Sequence, residues 1–306
     1  MQPMSETEFR PQREALVPPG GIELFAPDMT ATIAADVSLD EAQRQLATVD
    51  QWLPIDGDPR SPVGQLVEIN STGPLRLGYG GWRDLLLGCQ FINGRGELIT
   101  AGGRAVKNVA GYDLTKFMVG QQGNFGKILT ITTRTYRRPR IFLSATFEPD
   151  VRRLNELLPT NCRPQWAILD ARALTCGYAG DEAMIEFIEA TLPRFKPLQI
   201  GTRQSEAVEL RAFSITYEWG IAFRAAVPPM RSVEFAAKAG IPQWMADPVF
   251  GLVRGNGSEE SLPALRAAAV EVGGSLWRER GEGIEEASDY PGQRSILQRL
   301  SQAFGS

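Results

Sequence analysis

The segment GGRAVKNVAGYDLTKFMVGQQGNFGKILTI, residues 102–131, constrains this chain more than any other stretch. Gly102, Gly103, Gly111, Gly120, Gly123 and Gly126 recur through it, and it runs straight into an apolar strand pattern. Each glycine weakens regular structure by about 0.5–1 kcal/mol relative to alanine. Tight turns explain some of that density. Close approach of backbone to a ligand would explain the rest, because bare N–H groups suit phosphate oxygens and the polar edges of flavins and nucleobases. The interleaved Lys107, Asn108, Tyr112, Asp113, Thr115 and Lys116 add donors, acceptors and cations.

Two familiar phosphate loops are excluded. GxxxxGK[ST] is absent, and GQQGNFG precedes a strand, whereas a dinucleotide fingerprint follows one. The chain contains no histidine, so no histidine-dependent catalytic triad, no histidine-ligated zinc or haem, and no flavin tethered through histidine can be built. Cys89, Cys162 and Cys176 are too few and too scattered for a disulfide framework, a zinc site or an iron–sulfur cluster, and read as structural thiols. A net charge of −4 argues against nucleic acid or an anionic membrane as a bulk partner. No apolar run reaches the roughly eighteen residues of a membrane span. The polar N-terminus lacks a signal-peptide pattern, so a cytoplasmic location is expected.

Hydrophobic periodicity divides the chain near Pro139. Residues 22–37 read as two short strands, and residues 38–49 as a helix with Ser38 and Glu41 as a capping box. A helical turn is expected near 63–69, a hairpin through 83–103 around Asn93-Gly94 and Arg95-Gly96, and a strand through 125–139. Beyond Pro139, strand and helix patterns alternate, which predicts four or five strands with helices on one face and a final helix over 292–306. The expected organisation is an irregular lead over 1–27, a first domain over 28–139 and a second over 140–306.

Residues 108–139, NVAGYDLTKFMVGQQGNFGKILTITTRTYRRP, resemble the signature of the vanillyl-alcohol oxidase (PCMH-type) FAD-binding family, in particular the FAD-binding subunits of bacterial glycolate oxidases. VGQLVEINSTGPLRLGYGGWRDLLLGCQFINGRGEL and IAADVSLDEAQRQLATVDQWLPIDGDP extend the resemblance upstream to about residue 28. The resemblance implies an α+β fold: a PCMH-type FAD-binding domain followed by an α+β cap domain with an antiparallel sheet. It implies non-covalent FAD, with Gly64, Asn70, Ser71, Gly73 and Pro74 in a first loop. Asn108, Gly111, Tyr112 and Asp113 would form a second loop, and Gly123, Gly126 and Ile128 a closing segment. It further implies a small 2-hydroxy acid as substrate, a second FAD-binding catalytic subunit, and an iron–sulfur subunit that takes the electrons.

The sequence departs from the family in three places. The N-terminal β-α-β unit with its R-G-G-G-T-like pyrophosphate loop has no counterpart, so the first subdomain is expected to be largely missing and the second retained. The family's Gly-Gly pair is reduced to Gly64-Gln65, and its D-P-x-x-x-x-N-P-G tail is missing after Phe304. Two functions therefore stand: an FAD-binding oxidoreductase subunit, or a cofactor-free structural subunit that stabilises a catalytic flavoprotein partner. Tyr217, Glu218 and Arg224 lie on one expected strand and either face a carboxylate or form an ordinary half-exposed surface. The run Arg134, Arg137, Arg138 and Arg140 reads as a solvated strand end or a docking patch. No residue is nominated as catalytic.

Overall fold

The computed structural model describes residues 17–104, 114–201, 203, 221–278, 299–300 and 302–305. Asn108, Gly111, Tyr112, Asp113, Tyr217 and Glu218 lie outside the described residues, as does most of the expected final helix. The chain divides into two compact units: residues 1–72, 80–138 and 290–306 form the first, residues 73–79 and 139–289 the second. The main division falls between Arg138 and Pro139.

The first unit contains β1 (Ile22–Phe25), β2 (Thr30–Ala34), β3 (Gln51–Trp52), β4 (Leu86–Ile92), β5 (Leu98–Gly102), β6 (Lys127–Arg134) and β7 (Tyr136–Arg137). Five of them make an antiparallel sheet in the order β1-β2-β6-β4-β5, and β3 pairs with β7 in a separate ribbon. Alternation along the strands separates two faces. Ile33, Ile131, Cys89 and Ala101 are paired across neighbouring strands on one face and join a single buried core. That core is closed by α1 (Leu39–Ala47) through Leu39, Ala42 and Leu46, and by α2 (Val63–Glu68) through Val63, Leu66 and Val67. The Ser38 hydroxyl caps α1 by accepting the Glu41 N–H at 3.2 Å.

The opposite face is polar. Glu23, Thr32, Thr132, Gly88 and Gly102 form one cross-strand row, and Thr130, Gln90 and Thr100 the next. The Thr32 and Thr132 hydroxyls share a 3.0 Å hydrogen bond, and Thr130 donates to Gln90 Oε1 at 3.0 Å. One-sided burial of this kind is what antiparallel sheets permit.

The second unit carries β8 (Ile141–Phe147), β9 (Trp166–Leu169), β10 (Leu174–Gly180), β11 (Gln199–Ile200), β12 (Ile221–Ala226), β13 (Trp244–Asp247), β14 (Leu252–Gly257) and β15 (Ser275–Arg278). Among the described residues they form one antiparallel eight-stranded sheet, where sequence periodicity indicated four or five strands. Helices Arg152–Leu157, Glu182–Thr191, Ser232–Lys238 and Leu262–Glu271 bury Leu154, Ile188, Phe235 and Leu265 in a second core with Ala145, Cys176, Phe223 and Val253. The cysteines are buried thiols, and burial pushes the Cys176 thiol well above its usual range, which removes any thiolate chemistry at neutral pH.

The two strands expected over 22–37 are β1 and β2, so the irregular lead ends before Ile22. The described residues 299–300 and 302–305 group with the first unit, where the expected second domain ran to residue 306.

Candidate functional site

The first glycine loop is built around α2. Pro62 precedes the helix with an extended backbone, and Val63 and Gly64 donate their N–H groups to the carbonyls of Val37 and Ala35, both at 2.9 Å. A Cβ at Gly64 would lie 2.6 Å from the Ala35 Cβ. The glycine therefore permits close packing of α2 on the end of β2, and its N–H is already used. Ser71 is similarly engaged: its N–H donates to Leu66 O at 2.8 Å and its hydroxyl to Asp56 O at 2.7 Å. Asn70 sits at φ 48°, a left-handed position that asparagine tolerates better than most residues. Gly73 and Pro74 belong to the second unit, where their carbonyls accept the N–H groups of Arg76 and Leu77 at the start of the helix Arg76–Tyr79.

The second glycine segment lies directly against α2. Gly120 N–H donates to Val67 O and Gln122 N–H to Glu68 O, each at 3.0 Å. Ile128 N–H donates to the Glu68 carboxylate. Burial pushes that carboxyl up, and the Ile128 N–H and nearby Lys127 pull it partly back. Gly120, Gln122, Gly123 and Gly126 all have positive φ, at 84°, 54°, 78° and 142°.

A buried side chain holds this turn in shape. Gln121 is 3% exposed; its Nε2 donates to Gly126 O at 3.0 Å and its Oε1 accepts the Phe125 N–H at 2.9 Å. Asn124 Nδ2 donates to Gln121 O at 2.8 Å. Gln121 was not singled out from sequence, and the only available signal was a long amide between glycines. The glycines also differ in purpose. A Cβ at Gly126 would meet Ile92 O at 2.3 Å, and one at Gly102 would meet Leu87 O at 2.2 Å, so both allow close backbone contact. Among the described residues, nothing lies within 4 Å of a Cβ placed at Gly103 or Gly123.

A hollow of about 600 Å³ lies on the polar face of the five-stranded sheet. Phe25, Thr32, Gln90, Thr130, Thr132 and Arg104 line it, with the Arg104 guanidinium 4.1 Å from the centre of the Phe25 ring. Gly102 and Gly103 also line it, immediately ahead of residues 105–113. The hollow is therefore distinct from the contact between α2 and residues 120–128.

The second unit contains a buried carboxyl, Asp247, beside the buried Arg254 and the exposed Arg76. Asp247 is 2% exposed, accepts the N–H groups of Val249 and Phe250, and feels the charges of Arg76 and Arg254. Burial pushes its carboxyl up to about 7, against the downward pull of those donors and charges. Arg224 on β12 stands opposite Arg254 on β14 and Trp277 on β15, with its guanidinium 5.7 Å from the Trp277 ring centre. Arg76 lies 4.2 Å from the ring centre of Phe250.

No protein-family model matches the chain. Glycolate oxidase subunit GlcE of Escherichia coli is 34% identical over 128 residues, which is 40% of this chain and 37% of that subunit. Over those residues the chain resembles a glycolate oxidase subunit. The mitochondrial cytochrome-type D-lactate dehydrogenase of Arabidopsis thaliana is 28% identical over 117 residues, 38% of this chain and 21% of the dehydrogenase. The matched part is thus well under half the length of either relative. Among solved structures, an alkyldihydroxyacetonephosphate synthase superposes with a TM-score of 0.67 at 13% identity, covering 92% of this chain and 63% of the synthase. That likeness extends to the fold alone, a mixed α/β architecture with antiparallel sheets.

Proposed function

We propose that this chain is an FAD-binding subunit of a glycolate oxidase-type complex, oxidising a 2-hydroxy acid with electrons passed to a partner iron–sulfur subunit. On this reading the first unit holds the second subdomain of a PCMH-type FAD-binding domain, and the second unit is the cap domain. The observation that carries the proposal is the seam between α2 and residues 120–128: four left-handed residues, tied to α2 through Val67 and Glu68, present an open backbone at Gly123. The similarity to glycolate oxidase and D-lactate dehydrogenase supports it from a second direction.

Fit to FAD differs along the predicted set. Gly123 suits a close-lying ligand, and Asn108, Gly111, Tyr112 and Asp113 remain proposed contacts on the sequence resemblance. Gly64 and Ser71 fit poorly as phosphate donors, because Ala35, Leu66 and Asp56 already take their hydrogens. Hydrogen bonds to a charged group contribute about 1.5–3 kcal/mol each, so a diphosphate here depends on donors from elsewhere, such as a second FAD-binding subunit. Bound FAD would supply a hydride acceptor, and the residues around it would orient the substrate. Among the described residues of the second unit, Arg224 opposite Arg254 is one arginine pair suited to a carboxylate.

The engaged donors at Gly64 and Ser71 also favour a second reading, a cofactor-free structural subunit that stabilises a catalytic flavoprotein. Purifying the chain alone and with its partner subunits, then recording visible spectra, separates the two. Flavin absorption retained by the chain supports the first. A colourless chain that still binds its partner after incubation with FAD supports the second.

A further inference from the structure

The last residues of the chain return to the second glycine segment. Phe304 stacks on Phe117, with ring centres 5.1 Å apart and planes 15° from parallel, and meets Phe125 at 5.4 Å. Phe117 and Phe125 themselves lie 4.7 Å apart. These two rings bracket the left-handed residues Gly120, Gln122 and Gly123. Phe304 is also fixed from behind. Its carbonyl accepts the Gly94 N–H at 3.1 Å, and the carbonyl of Gln302 accepts Arg95 Nη2 at 3.5 Å, both from the turn between β4 and β5.

We propose that Phe304 is a positioning residue, a clasp that holds the turn over residues 120–126 in its ligand-facing shape. The physical reason is the turn's composition. A segment with so many left-handed residues has several backbone alternatives of similar energy, so tertiary contacts must select one. Gln121 does this from within, and the ring of Phe304 closes the two flanking aromatics from outside. Offset and stacked aromatic pairs add specific stability beyond the area they bury. The shape of a loop near the middle of the sequence thereby depends on a residue almost at its end. The consequence for FAD rests on the flavoprotein reading above; the clasp itself does not.

The test compares the full chain with Phe304→Ala and Phe304→Tyr. Amide hydrogen exchange of peptides covering 118–126 reports the clasp, and peptides from β8–β10 serve as the control. Phe304→Ala is expected to speed exchange in 118–126 by about tenfold, to leave the control peptides unchanged, and to weaken FAD binding several-fold. Phe304→Tyr is expected to restore protection. Unchanged exchange in 118–126, or an equal rise in the control peptides, overturns the proposal. If the unaltered chain binds no FAD either alone or with its partner subunits, the flavoprotein reading fails, and the exchange data still decide the clasp.

Discussion

The backbone N–H of Gly120 donates to the carbonyl of Val67 at 3.0 Å, which fastens the second glycine segment to the helix of the first glycine loop. With φ at 84°, Gly120 turns the chain so that Gln122 can reach Glu68 two residues later. The two segments therefore behave as one structural unit, and changes in either should be felt by the other.

Gln121 gives the most direct stability test of that unit. Replacing it with Met keeps the shape but removes the acceptor for Phe125 N–H and the donor to Gly126 O. A buried group left without its partner costs about 1–3 kcal/mol, so a loss of about 2–3 kcal/mol is expected. Urea unfolding of Gln121→Met measures it, and a change within about 0.5 kcal/mol would show that the amide does not hold the turn.

The glycines should separate by role. Gly126→Ala places a methyl 2.3 Å from Ile92 O at a residue with φ 142°, and should destabilise by about 2–4 kcal/mol. Gly123→Ala meets open space at φ 78°, so only the left-handed strain of about 1–2 kcal/mol is expected. On the flavoprotein reading, Gly123→Ala should nevertheless weaken FAD binding while the protein stays folded. Thermal melts with FAD titrations on both variants test the contrast.

Asp247 sets an expectation for pH. Its folded carboxyl titrates near 7, above the ordinary value of 3.8, so the folded state binds this proton more tightly than the unfolded chain does. Its contribution to stability is fully present below the unfolded value and is lost as pH rises through about 7. Glu68, also pushed up by burial, acts in the same sense. Melting temperature should therefore fall between about pH 4 and pH 7.5 and level off above it, and Asp247→Asn should flatten that fall. An equal fall in the variant would assign the effect to other groups.

The parts of the fold that follow local rules were legible in the sequence. Ser38 and Glu41 marked the start of α1, Asn93-Gly94 and Gly96 marked the β4–β5 turn, and the alternation of Thr130 and Thr132 against Ile131 marked β6. The eight-stranded sheet was undercounted because β11 has only two residues, and because the Trp-Met-Ala-Asp run of β13 lacks clean alternation. The site was less legible. A glycine that makes room for Ala35 looks the same in sequence as one that makes room for a ligand, so Gly64 and Gly123 could not be told apart. The role of Gln121, and the reach of Phe304 to Phe117, depend on tertiary contacts that no local pattern encodes.

The most direct test of the proposed function is the flavin content of the full chain, purified after saturation with FAD in the presence and absence of its partner subunits. The proposal predicts FAD that remains with the chain through gel filtration and is released when the chain is unfolded. A chain that elutes without flavin under both conditions would contradict it.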